Sequence, residues 1–133
     1  MILGRTLVIG DIHSGLKALQ QLLVKANVTE KDTLIFLGDY VDGWSDALET
    51  VNFLLELKKT HHCIFIRGNH DALCYEWLTG GDDNPTWFMH GGEATINSYN
   101  PASEAIKKRH IHFYEGLKNY YLDRKNNLFL RSK

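Results

Sequence analysis

Short apolar runs alternate along this chain with segments in which apolar residues recur every three or four positions. Residues 5–9 (RTLVI), 33–37 and 62–66 are such runs and predict three strands. Between them, Leu16, Leu19, Leu22, Leu23 and Ala26 have the spacing of one amphipathic helix, and Ala47, Leu48, Val51, Leu54 and Leu55 that of a second. Ser45 is the expected N-cap of the second helix, with Asp46 and Glu49 at the positive end of its dipole. Strands alternating with helices argue for an α/β sheet flanked by helices.

Further along, residues 71–78 predict a third helix, closed by Gly80 and Gly81, which tolerate the left-handed backbone that ends helices. Residues 82–85 read as a loop, and residues 92–99 and 103–120 as two more helices. Residues 120–122 and 128–130 flank a turn rich in Asn and predict a hairpin. There is no internal repeat, low-complexity tract or linker, so residues 1–133 are expected to form one domain.

Composition narrows the function classes. The chain holds 15 Lys+Arg against 16 Asp+Glu, a formal net charge of −1, so it lacks the basic face that long nucleic acids or anionic membranes require. No apolar run approaches the roughly 20 residues of a membrane span, and no secretory leader is evident, which predicts a cytoplasmic protein. Cys63 and Cys74 lack the paired spacing of a zinc knuckle and are expected to be reduced and structural.

The strongest signal is a repetition. Each predicted strand ends in a polar, glycine-marked loop: Gly10-Asp11-Ile12-His13, Gly38-Asp39-Tyr40-Val41-Asp42-Gly43 and Gly68-Asn69-His70-Asp71. The carboxyl ends of strands in an open α/β sheet share one edge, where ligands bind, so the three loops should converge there. Converging carboxylates repel one another unless a cation neutralises them. Carboxylate, imidazole and amide oxygen together suit Mn²⁺, Fe²⁺ or Zn²⁺. Asp11 and His13 would point to one side of an extended segment and grip one ion. Asp39 would bridge to a second ion roughly 3.5 to 4 Å away, and Asn69 would ligate that second ion. His70 would face the substrate and protonate a leaving alkoxide, its ring oriented by Asp42.

By residue type and spacing these loops resemble the signature of the calcineurin-like metallophosphoesterases, in particular the phosphoprotein phosphatase and diadenosine-tetraphosphatase branch. Arg67-Gly68-Asn69-His70 also resembles that branch's third loop. The resemblance implies hydrolysis of phosphomonoesters, of phosphoprotein or nucleotide type, by metal-bound hydroxide. It implies Asp11, His13, Asp39 and Asn69 as metal ligands, most simply of manganese, His70 as general acid and Asp42 as its partner.

The sequence departs from the family pattern in two places. Gly43 stands where the branch usually has a phosphate-holding Arg; it is followed by Trp44, which is expected to shape the pocket floor. The resemblance also covers only the N-terminal half of the family's two-sheet sandwich, and Arg131 stands where the next histidine ligand would come. One ion is therefore expected to bind well and a second weakly or not at all. The alternative is a catalytically impaired metal-binding or interaction module, whose uncovered apolar sheet surface would favour self-association or a partner.

Single glycine-Asp turns are common without function; three in register and in order are not. For Asp42 an Asx turn with Gly43 competes with the functional reading. His61, His62, His90, His110 and His112 are left out of the site, with His90 a candidate cap for the helix after it. Trp77, Trp87, Phe88 and the tyrosines from Tyr114 to Tyr121 read as core or covering aromatics.

Overall fold

The computed structural model describes residues 4–131. Strands β1 (Thr6–Ile9), β2 (Thr33–Phe36) and β3 (His62–Phe65) form a parallel sheet in the order β1-β2-β3, with Leu7 beside Leu34 and Leu34 beside Cys63. Helices α1 (Leu16–Lys25) and α2 (Ala47–Leu57) make the crossovers that parallel strands require. Helix α3 (Asn69–Leu78) follows β3 directly. Then come the single turn α4 (Pro85–Trp87), a kinked segment Phe88–Gly92 that leaves helical geometry at His90 and Gly91, and helices α5 (Glu93–Tyr99) and α6 (Glu104–Glu115). Strands β4 (Tyr120–Leu122) and β5 (Leu128–Leu130) pair as an antiparallel hairpin.

Because side chains alternate along a strand, the sheet has two differently used faces. Leu34 and Phe36 enter the main core with Val51, Leu54, Cys74 and Phe113 from the helices, and all six are buried. Ile35, Ile64 and Ile66 face the other way, where Tyr121 and Phe129 of the hairpin pack on them. The apolar sheet surface expected to stand open is thus partly covered by the chain's own hairpin, while Val8 and the outward residues Tyr120, Leu122, Leu128 and Leu130 remain exposed. Both cysteines are free, and burial pushes the Cys63 thiol up to about 11, so neither is poised as a thiolate.

Several expected boundaries shift. Ser45 is not the N-cap of α2. The chain is still tied down as loop at that point, by Gly43 N–H donating to the Gly91 carbonyl and Trp44 N–H to that of His13, so the cap falls one residue later, on Asp46, and the helix begins at Ala47. The helix expected over 103–120 stops at Glu115 with Gly116 as its cap. Lys118 then runs alongside β3, donating its N–H to the Phe65 carbonyl and accepting that of Arg67, which extends the sheet. The third helix starts at Asn69, two residues early, so Asn69 and His70 sit in its first turn. His90 does not cap α5; Gly92 precedes that helix, and His90 is exposed at the kink before it.

Candidate metal and active site

The carboxyl ends of β1, β2 and β3 bring the three glycine-marked loops together, and the backbone itself locks them. Ile12 and His13 donate their N–H groups to the Asp39 carbonyl, and Ser14 donates to that of Tyr40. Asp71, fully buried in the first turn of α3, accepts the N–H groups of Asp39 (2.7 Å), Tyr40 (2.9 Å) and Gly68 (2.8 Å). Burial pushes the Asp71 carboxyl up to about 7, while those three donors pull it down. Two glycines make the approach of the second and third loops possible. A Cβ on Gly68 would overlap the Asp39 carboxylate, and one on Gly38 (φ +107°) would overlap the Gly68 backbone.

Backbone strain concentrates in the same place. His13, Ser14, Asp39 and Asp42 all have positive φ, an uncommon conformation for residues with side chains that persists where the surroundings enforce it. The segment from Asp11 to His13 is accordingly a tight turn and not the extended strand end expected from the sequence. His13 still meets Asp11, with Nε2 at 3.3 Å from Oδ2, and its Nδ1 lies 3.0 Å from the Val41 carbonyl. That carbonyl fixes Nδ1 as the protonated nitrogen and leaves Nε2 free to ligate.

His13, Asp39 and His70 each offer a ligand atom, and these atoms lie within 4.8 Å of one another. Two imidazoles and a carboxylate form a donor set that fits a borderline divalent cation. Asp11 joins from the side of His13. Asn69 is exposed at the start of α3, one residue from His70. The rings of His13 and His70 meet edge to face at 5.0 Å between centroids.

His70 is oriented as expected, by Asp42, with Nδ1 at 2.6 Å from Oδ2. Asp42 is only 1% exposed, and it is held by two residues that no sequence motif marks. The Trp87 indole Nε1–H donates to the same Oδ2 at 2.6 Å, and the Thr95 hydroxyl donates to Oδ1 at 2.5 Å. Gly91 (φ +107°) lets α4 and α5 come close enough to do this, its carbonyl accepting Gly43 N–H and its Cα packed against Asp42. Trp44, expected as a pocket floor, is 72% exposed because Trp44 N–H bonding to His13 turns its side chain outward at the rim.

Arg131, just past β5, reaches the site from the hairpin. Its guanidinium forks onto Asp11, with Nη2 at 2.9 Å from Oδ2 and Nη1 on Oδ1, and Nη2 also pairs with Asp39 Oδ2. This hydrogen bonding holds the Asp11 carboxyl below the usual carboxylate range, and the same pairing raises Arg131 further.

A three-stranded parallel sheet whose strand ends gather Asp, His, Asp, Asn and His residues, with a His–Asp pair among them, has the architecture of a metallophosphoesterase fold. Residues 4–132 match the calcineurin-like phosphoesterase family, and the chain belongs to it. It is 30% identical over 121 residues to the asymmetrical bis(5'-nucleosyl)-tetraphosphatase PrpE of Oceanobacillus iheyensis, covering 81% of this chain and 47% of that protein. It is 33% identical over 87 residues to serine/threonine-protein phosphatase 2 of Escherichia coli, covering 65% of this chain and 38% of that protein. Its fold superposes on a metallophosphoesterase from Sphaerobacter thermophilus with a TM-score of 0.63, at 24% identity over 92% of this chain and 44% of that one. The chain spans about half the length of the curated relatives it matches. Among the described residues, no helix is long and apolar enough to cross a membrane.

Proposed function

We propose that this chain carries the metal-holding and proton-donating loops of a metal-dependent phosphomonoesterase acting on phosphoprotein or nucleotide-type substrates, within one partial phosphoesterase domain. The observation that supports it best is the meeting of His13 and Asp39, as ligands, with the His70 ring that would serve as acid, their nitrogen and oxygen atoms lying within 4.8 Å of one another at the ends of three adjacent strands. In this reading Asp11, His13, Asp39 and Asn69 hold the metal, with manganese the first choice for a mixed carboxylate, imidazole and amide set. The ion, when bound, neutralises phosphoryl charge and lowers the pKa of an attacking water.

The chain's own residues do the rest. Asp42 accepts the His70 Nδ1 proton and so holds the ring with Nε2 outward, where it can protonate the leaving alkoxide. Trp87 donates to the same Asp42 oxygen as His70 and Thr95 to the other, which keeps that buried carboxylate fixed. The relatives named as a tetraphosphatase and as a protein phosphatase favour phosphoric ester or anhydride substrates without choosing between them.

A second reading, a metal-binding module without turnover, is favoured by Arg131, which already neutralises two of the proposed ligands. One experiment separates the two: Mn²⁺ binding by calorimetry and Mn²⁺-dependent hydrolysis of an aryl phosphate, with Asp39→Asn as the blank. Binding and hydrolysis, both lost in Asp39→Asn, support the phosphoesterase reading. Binding without hydrolysis supports the module, and binding or hydrolysis retained in full by Asp39→Asn overturns the role of Asp39.

A further inference from the structure

We propose that Arg131 is a resident cation of the site, competing with a divalent metal for Asp11 and Asp39, so that the ion must displace it to bind. The inference rests on the reading of these two carboxylates as metal ligands, and it begins from which lone pairs are taken. The guanidinium engages both oxygens of Asp11 and Oδ2 of Asp39. Oδ1 of Asp39 accepts the His70 backbone N–H at 3.1 Å. The oxygens that would face an ion are therefore already occupied by donors carrying one positive charge.

Charge makes this pairing favourable in the absence of a metal. Asp39 is 1% exposed, and an unpaired buried carboxylate beside a second one is costly. A planar guanidinium matches two carboxylates with directional, charge-assisted bonds. Its side chain is 19% exposed, so it too is largely withdrawn from water.

The seat is nonetheless incomplete. Among the described residues, buried Arg131 Nε meets no hydrogen-bond partner, a cost that is relieved when the side chain leaves. The arginine is delivered by β5, whose Phe129 packs with Tyr121 on Ile35, Ile64 and Ile66, so the hairpin aims it without binding it covalently to the loops. Among the described residues, the side-chain partners of its guanidinium are the two carboxylates. Release therefore breaks those contacts and leaves the sheet intact.

Competition lowers apparent metal affinity by the fraction of molecules in which the carboxylates are free. Titration of manganese(II) chloride into the full 133-residue chain by calorimetry tests this without requiring turnover. Arg131→Gln, neutral and of similar reach, should bind Mn²⁺ at least about tenfold more tightly than the parent chain. Arg131→Lys, which keeps the charge but loses the fork, should fall between them and serves if the glutamine variant does not fold. Equal or weaker binding by Arg131→Gln, with binding abolished in Asp39→Asn, overturns the competition while leaving the metal reading in place. No binding by either the parent or Arg131→Gln overturns both.

Discussion

The buried carboxylate of Asp71 holds the backbone N–H of Asp39 at 2.7 Å, so a residue with no reactive role of its own sets where the central carboxylate of the site stands. The same side chain also takes the N–H groups of Tyr40 and Gly68, tying the second loop to the third. These bonds explain how Asp39 is kept at positive φ without a glycine's freedom.

Asp71→Asn should therefore destabilise the protein by about 3 kcal/mol at neutral pH. An amide offers one acceptor oxygen where the carboxylate offers two, and its NH₂ would face a backbone donor. Urea unfolding measures the loss; a change under about 0.5 kcal/mol would show that the anchor contributes little.

Trp87→Phe keeps an aromatic ring against Gly92 but removes the N–H that Asp42 accepts together with part of the indole's buried volume. The expected cost is about 3 kcal/mol of stability, combining the hydrogen bond to a buried charged group with the space left in the core. Since Trp87 touches Asp42 and none of the proposed ligands, Mn²⁺ affinity should stay unchanged while turnover by the proposed phosphoesterase falls. Equal losses in binding and turnover would place the effect in the fold at large.

His110 gives a pH-dependent prediction away from the site. It is fully buried in α6, with Nδ1 2.6 Å from the Tyr99 hydroxyl and Nε2 2.6 Å from Asn52 Oδ1, and burial lowers its pKa to about 4 from 6.5. Because Asn52 Oδ1 can only accept, Nε2 carries a proton, and the lowered pKa leaves Nδ1 bare at neutral pH to accept from the Tyr99 hydroxyl. The folded pKa lies below the unfolded one, so the stabilisation is full above pH 6.5 and declines as pH falls towards 4, by up to about 3 kcal/mol. Urea unfolding across that window should show the decline in the parent chain and its absence in His110→Gln.

Much of the architecture was legible from spacing alone. Three apolar runs, two helical repeats of apolar positions and a glycine-marked polar loop after each strand were enough for the parallel sheet, its crossovers and the edge where the loops meet. The pairing of His70 with Asp42 was also anticipated, because both lie in those loops. Trp87, Thr95 and Asp71 were not, because their contribution is a hydrogen bond to a residue distant in sequence, and Trp87 read simply as an apolar ring. The end of α6 was misplaced for a similar reason. Lys118 is drawn into pairing with β3 by partners more than fifty residues away, and nothing local announces it.

The sequence by itself determined which elements form and which side chains their ends carry, since periodicity, glycine placement and residue type act over a few positions. Only the tertiary structure decided how those side chains are held. It turned the Asp11–His13 segment into a strained turn, put Asp71 beneath Asp39, closed Trp87 and Thr95 over Asp42 and seated Arg131 on the carboxylates. Each of these depends on long-range packing and on satisfying buried charge, which no local pattern encodes.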